Sequence, residues 1–137
     1  MPETRPKVLI VEDEPVVLHT LELILKQQGY DVRGARDGKE ALAIGPEFQP
    51  NVLLCDINLP DVDGIQVATQ LKRELPHCRA ILLSGEITST ELLEDAAKQG
   101  MHFEVLAKPT EPHQLLRVLA GAKTSSIRDT HGIHRVK

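Results

Sequence analysis

The chain has 137 residues, 41% hydrophobic and 26% charged, with a net charge of −4, which suits one ordinary globular domain and excludes two sizeable ones. No apolar stretch reaches the length of a membrane span, and Met1-Pro2-Glu3-Thr4-Arg5 lacks the apolar core of a signal peptide, so a cytoplasmic location without membrane contact is expected. An acidic body with one Tyr, two Phe and no Trp has neither the positive charge nor the stacking surfaces for direct nucleic-acid binding.

In chain order, Val8-Leu9-Ile10-Val11 reads as a buried strand that stops at Glu12-Asp13. Pro15 to Gln28 carries Val17, Leu21, Ile24, Leu25 and Gln28 at helical spacing, with Pro15 suited to the first turn and Gly29 to the stop. Asp31 to Ala35 is a short polar strand, and Asp37 is placed to cap a helix running to about Ile44, before Gly45-Pro46. Val52-Leu53-Leu54-Cys55 is a third strand that stops at Asp56; the composition of Leu59 to Gly64 is that of a loop. Cys55 reads as a small buried hydrophobe, and with Cys78 beside a Pro-His turn there is no disulfide framework.

A helix over about Ile65 to Glu74 ends at Leu75-Pro76, and a fourth strand, Ala80 to Leu83, stops at Ser84. Thr88 or Ser89 can cap the next helix, with Leu92, Leu93, Ala96 and Ala97 on its inner side and Gly100 at its end. Phe103 to Ala107, broken only by Glu104, precedes Lys108-Pro109, and a last helix from about Glu111 to Ala122 has the stripe Leu115, Leu116, Val118 and Leu119. The expected division is a domain over residues 1–122 and a flexible basic tail over 123–137. There Lys123, Arg128, Arg135 and Lys137 against Asp129 give a net +3, leaving −7 on the remainder.

Five strands alternating with five helices predict right-handed βαβ units and an α/β parallel sheet covered on both faces. The continuous apolar runs belong at its centre and the more polar second and fifth strands at its rim, hence the order 2-1-3-4-5. In such a sheet ligands sit beyond the carboxyl ends of the strands at the switch point, here between the first and third. Glu12, Asp13 and Asp56 fall at that place.

Converging carboxylates repel one another unless a cation compensates. An all-oxygen set with few protein ligands suits Mg²⁺, which keeps waters and pairs with phosphates. Lys108 brings a positive charge and Ser84 a hydroxyl to the same edge, both able to donate to phosphoryl oxygens. Asp56 stands alone at its strand end and is the expected phosphoryl acceptor; Glu12 and Asp13 form the pair suited to metal. Taken singly, each of these residues has an ordinary structural reading, a helix-capping acid pair, a solvated lysine or a turn serine, and it is their matching positions that reverse it.

Across roughly residues 6 to 121 the chain resembles the receiver domain of two-component response regulators. The resemblance is carried by Val11-Glu12-Asp13-Glu14-Pro15, Asp56-Ile57-Asn58-Leu59-Pro60 with Asp63-Gly64, Ser84-Gly85-Glu86 and Lys108-Pro109. It implies a flavodoxin-like (βα)5 doubly wound fold and phosphoryl transfer to Asp56 from a sensor histidine kinase or histidine phosphotransfer protein. It also implies Mg²⁺ held by Glu12 or Asp13, Asp56 and the backbone carbonyl of Asn58; Ser84 as switch hydroxyl; Lys108 as phosphate-binding lysine; and a cis Lys108-Pro109 bond. Asn58 and Glu86 occupy the positions that tune hydrolysis of the aspartyl phosphate.

Two departures stand out. Glu12 replaces the commoner aspartate, and Val105 stands where the family usually has a Tyr or Phe that swings inward with the switch hydroxyl. Phe103 shares the strand parity of Val105, so it is either a displaced switch aromatic or a plain core residue. The function expected is a protein-binding switch whose output face is the fourth helix, fifth strand and fifth helix, including Glu91, Glu94, Asp95, Lys98, Gln114 and Arg117. The alternatives are a phosphorylation-independent interaction module and an aspartate-nucleophile phosphatase of the haloacid dehalogenase type. The latter wants a second acid where Asn58 stands.

Overall fold

A computed structural model describes residues 5–85 and 90–121, with only the backbone of 90–92. Glu86, the side chain of Glu91, the capping positions Thr88 and Ser89, and the 123–137 tail therefore lie outside the described residues. Five strands, β1 (Lys7–Val11), β2 (Asp31–Ala35), β3 (Val52–Asp56), β4 (Arg79–Ser84) and β5 (Glu104–Ala107), alternate with five helices. The helices are α1 (Pro15–Gln27), α2 (Gly38–Phe48), α3 (Gly64–Glu74), α4 (Thr90–Lys98) and α5 (Pro112–Leu119). The strands form one parallel sheet of order β2-β1-β3-β4-β5, the expected doubly wound arrangement.

Both faces of the central strands are apolar because both are covered. Leu9, Val11, Leu53, Cys55 and Leu82 pack with Ala41 and Phe48 of α2, Ala68 and Leu71 of α3, and Ala96 of α4. Their neighbours in sequence, Val8, Ile10, Leu54, Ile81 and Leu83, pack on the other face with Leu18, Leu21 and Leu25 of α1 and Leu115 and Val118 of α5. A strand with period-two side chains and helices on both sides has no position for a polar residue until it leaves the sheet. Each of the fully buried leucines contributes about 1.5–3 kcal/mol of transfer free energy.

The helix α2 differs from expectation: it runs through Gly45-Pro46 to Phe48 and closes at Gln49, whose φ is 56°. Pro46 removes one intrahelical donor, a local cost of about 3 kcal/mol in a helix interior. Tertiary packing offsets it. A Cβ on Gly45 would lie 2.5 Å from Leu71 Cδ2, so α3 packs closely there, and Phe48 is buried with Lys7 and Arg33 each 5.5 Å from its ring centroid. At the opposite rim, β5 begins at Glu104, one residue after Phe103.

At the amino-terminal end of the sheet, Arg79 makes a two-pronged bond to Glu104, Nε to Oε2 at 2.5 Å and Nη2 to Oε1 at 2.6 Å. Its Nη1 donates to the Val118 carbonyl at 2.6 Å. One guanidinium thus joins β4, β5 and the last turn of α5. No helix among the described residues is long and apolar enough to cross a membrane.

Candidate phosphoacceptor and metal site

The strand registers place the chemistry at one edge. Val11 pairs with Cys55, Asp56 with Leu83, and Ser84 with Ala107, so Glu12-Asp13, Asp56, Ser84 and Lys108 emerge together at the carboxyl ends of β1, β3, β4 and β5. The Glu12 amide donates to the Ala35 carbonyl at 2.9 Å and the Lys108 amide to the Ser84 carbonyl at 2.9 Å, extending the sheet bonds one step past its named strands. The Lys108-Pro109 bond is cis, as the resemblance implied.

Glu12 is fully buried, Asp56 is 3% exposed and Ser84 7%. Lys108 Nζ lies 3.0 Å from Glu12 Oε1 and 3.0 Å from Asp56 Oδ2, bridging the two buried carboxylates. Their other oxygens accept backbone amides, Glu12 Oε2 from Glu14 at 3.1 Å and Asp56 Oδ1 from Asn58 at 3.0 Å. Burial pushes the Glu12 carboxyl above its ordinary value although Lys108 and the Glu14 amide oppose the rise. Burial lowers the Lys108 ammonium, but the hydrogen bonds to Glu12 and Asp56 outweigh it and the net shift is upward.

Glu12, Asp13 and Asp56 each offer an oxygen, and these oxygens lie within 4.8 Å of one another. Three carboxylates facing one ammonium leave the edge net negative, and the donors are all hard oxygens. A divalent cation fits this set. The cluster does not fit thiolate-preferring metals, because Cys55 points its Sγ toward the carbonyls of Asp56 and Gly64 at 3.5 and 3.6 Å and burial holds its thiol strongly protonated.

The segment after Asp56 is built to keep α3 close. A Cβ on Gly64 would run into the Asp56 carbonyl oxygen and stand 2.8 Å from Ile57 Cα; only glycine allows the helix to begin there. The Gly64 amide donates to the Ile57 carbonyl at 2.8 Å, and Asp63 caps the helix by accepting from Ile65 at 2.7 Å. Asn58 is exposed at the lip of the site.

A model of the response regulator receiver domain matches residues 8–120. The chain belongs to the response regulator receiver family. This receiver is 37% identical over 113 residues to the aerobic respiration control protein ArcA of Escherichia coli K12, covering 80% of the chain and 45% of ArcA. It is 41% identical over 78 residues to the transcriptional regulatory protein PrrA of Mycobacterium tuberculosis, covering 55% of the chain and 34% of PrrA. The chain thus spans less than half the length of these curated relatives.

Among solved structures, a CheY-like receiver domain protein from Methanospirillum hungatei matches the receiver with a TM-score of 0.78 at 26% identity, over 85% of this chain and 92% of that one. Chemotaxis protein CheY4 of Vibrio cholerae matches at 0.76 and 26% identity, over 85% and 98%. The family is a class of signalling switches.

All the singled-out strand-end residues among the described ones meet at this edge. Val105 and Phe103 do not: they pack in the α2–α3–α4 side of the core, Val105 buried and Phe103 half-buried against it. Of the histidines outside the tail, His19, His77, His102 and His113 are all exposed. Sequence reading missed Asp61, whose partners lie more than twenty residues away on α2; an acid after a loop proline carries no local signal for such a contact.

Proposed function

We propose that Asp56 accepts a phosphoryl group from a phosphohistidine of a sensor kinase or phosphotransfer protein, and that the resulting charge switches binding of a downstream protein. The observation that supports it most is Lys108 bridging Asp56 and Glu12 at 3.0 Å each beside a third carboxylate. In the transfer, an Asp56 oxygen forms a bond to phosphorus as the P–N bond breaks, and the imidazole leaves with the electron pair. Glu12, Asp13, Asp56 and the Asn58 carbonyl are the residues that would hold Mg²⁺, which supplies charge neutralisation when bound. Lys108 and Ser84 then donate to the transferred oxygens. Asn58, with Glu86, sets access of water to the product.

The donor must approach this edge of the molecule. A groove of about 400 Å³ runs between α1 and the segment from Lys108 to Pro112, lined by Val16, Val17, Leu21, Ile24 and Pro109. Val16 is 78% exposed there, giving the donor an apolar foothold next to Lys108. The output is assigned to α4, β5 and α5, where Glu94, Asp95, Lys98 and Arg117 are exposed, since these elements adjoin Ser84 and Lys108. A protein of this kind works in the cytoplasm and turns over no substrate of its own beyond its phosphoryl group.

The test is incubation of the chain with Mg²⁺ and acetyl phosphate, followed by intact and peptide mass analysis. One phosphoryl group on Asp56 is expected, and its absence would overturn the proposal. Sustained hydrolysis of unrelated phosphate esters would instead favour a phosphatase. Beryllofluoride, as a stable phosphoryl mimic, allows the output to be measured. If Phe103 carries the role of the missing aromatic at Val105, Phe103→Ala keeps the adduct but loses the gain in partner affinity on activation, by roughly ten-fold, a typical allosteric coupling. An unchanged gain assigns Phe103 to the core alone.

A further inference from the structure

The loop between Asp56 and α3 is held from outside as well as from within. At its base, Asn58 and Asp63 form an antiparallel bridge, and the Gly64 amide donates to Ile57 as described. At its tip, Asp61 Oδ1 accepts the Gly38 amide and Oδ2 the Lys39 amide, both at 2.9 Å. These are the first two donors of α2. The third, Glu40, is taken by its own cap Asp37 at 2.8 Å, and the Ala41 amide closes on the Asp37 carbonyl at 3.1 Å.

The first turn of a helix leaves its amides without intrahelical partners, and it carries partial positive charge that an acid can meet. Here a carboxylate from another element takes two of them, whereas the side chain of the helix's own cap takes one. The Gly38 amide, joined by that of Lys39, holds the Asp61 carboxyl below its ordinary value.

A second observation shows that the contact is shaped rather than incidental. A Cβ on Gly38 would collide with Val62 Cγ2, stand 2.9 Å from Val67 Cγ2 and lie 3.3 Å from Asp61 Oδ1. The loop therefore seats against bare backbone at the start of α2. Beside this seat lies an open cavity of about 650 Å³ onto which Asp13, Arg36, Lys39 and Pro60 face. The loop tip and the half-buried metal-site acid thus share one cavity.

We infer that Asp61 is a positioning residue: by clamping the loop tip to the amino end of α2 it fixes the backbone at Asn58, and so sets the affinity of the metal site. Asp61 touches neither metal nor phosphoryl group and acts only through the three-residue span back to Asn58. The inference rests on the proposed ligation by the Asn58 carbonyl, so its test separates the clamp from the metal.

The full chain is compared with Asp61→Ala, Gly38→Ala and Asp61→Asn by amide hydrogen exchange without metal and by titration with Mg²⁺ followed by NMR. Gly38→Ala unseats the loop without changing any charge, which distinguishes positioning from loss of a nearby anion. In both alanine variants exchange at Asn58 should rise about ten-fold while the amides of α5 keep their parental rates, and the apparent Kd for Mg²⁺ should rise by roughly ten-fold, as for loss of an outer support of a metal site. Asp61→Asn, which keeps one acceptor oxygen, should fall between.

Unchanged exchange at Asn58, or exchange that rises equally in α5, overturns the clamp. Unchanged Mg²⁺ affinity in both alanine variants overturns its role in the metal site. If the parent chain takes up no Mg²⁺, the metal reading fails, and exchange at Asn58 alone decides whether Asp61 positions the loop.

Discussion

Replacing Lys108 with methionine should leave two buried carboxylates facing each other with no counter-charge, and the cost should appear first in stability. Glu12 is fully buried and Asp56 nearly so, and breaking a buried pair by removing one partner costs on the order of 3 kcal/mol. For a domain of this size that lowers the melting temperature by about 10 °C. The loss shrinks as pH falls and Glu12 takes up a proton, because burial already raises its affinity for one.

The sign follows from linkage. A carboxyl that holds its proton more tightly when folded makes the metal-free protein more stable as pH falls from neutral toward the ordinary value of 4.5. The Lys108→Met variant should show this slope more steeply than the parent. Lys108 itself, raised when folded, contributes its full share below its ordinary 10.5 and loses it only above that.

Saturating Mg²⁺ should restore much of the deficit, since binding at a hundred times Kd adds about 2.7 kcal/mol, and it should stabilise the variant more than the parent. Phosphorylation should not recover. Removing one fixed donor to a transferring group costs about 100- to 1000-fold in rate. Melts with and without Mg²⁺ and acetyl phosphate labelling check both halves. A variant as stable as the parent without metal would mean that Lys108 is not the counter-ion of this edge.

Asp56→Asn should divide these effects in the opposite way. The adduct with acetyl phosphate should vanish entirely, since an amide offers no anionic oxygen to phosphorus, and Mg²⁺ affinity should fall by at least about ten-fold with the loss of a charged donor. Metal-free stability, by contrast, should stay within about 1 kcal/mol of the parent. The substitution gives up one attraction, to Lys108 at 3.0 Å, and two repulsions, from Glu12 and Asp13 within 4.8 Å, which oppose each other at comparable magnitude. Residual labelling of the variant at the same rate would place the acceptor elsewhere.

The five strands and their order were legible because each central strand is apolar on both faces, a pattern that only a covered parallel sheet produces. The meeting of Glu12, Asp13, Asp56, Ser84 and Lys108 followed from that order, since a parallel sheet puts every carboxyl end at one edge. What the Lys108 ammonium touches was not legible. Strand-end position says where the ammonium emerges, but its bridge between Glu12 and Asp56 depends on rotamers.

The extension of α2 past Pro46 was illegible for a related reason. Its compensation lies in Leu71 and in the cations over Phe48, all distant in sequence. Val105 was readable as a departure from the family, yet only the packing shows both it and Phe103 on the side of the sheet that carries α4.

Arg79 gives this switch a fixed foot. Its bonds to Glu104 and to the Val118 carbonyl rivet the starts of β4 and β5 to the last turn of α5, at the end of the sheet farthest from Ser84 and Lys108. If Asp56 is phosphorylated as proposed and draws those two residues toward it, the bonds of Arg79 hold the two strands against sliding. On that proposal the displacement is taken up at the carboxyl ends of the two strands, while the base that Arg79 ties together stays still.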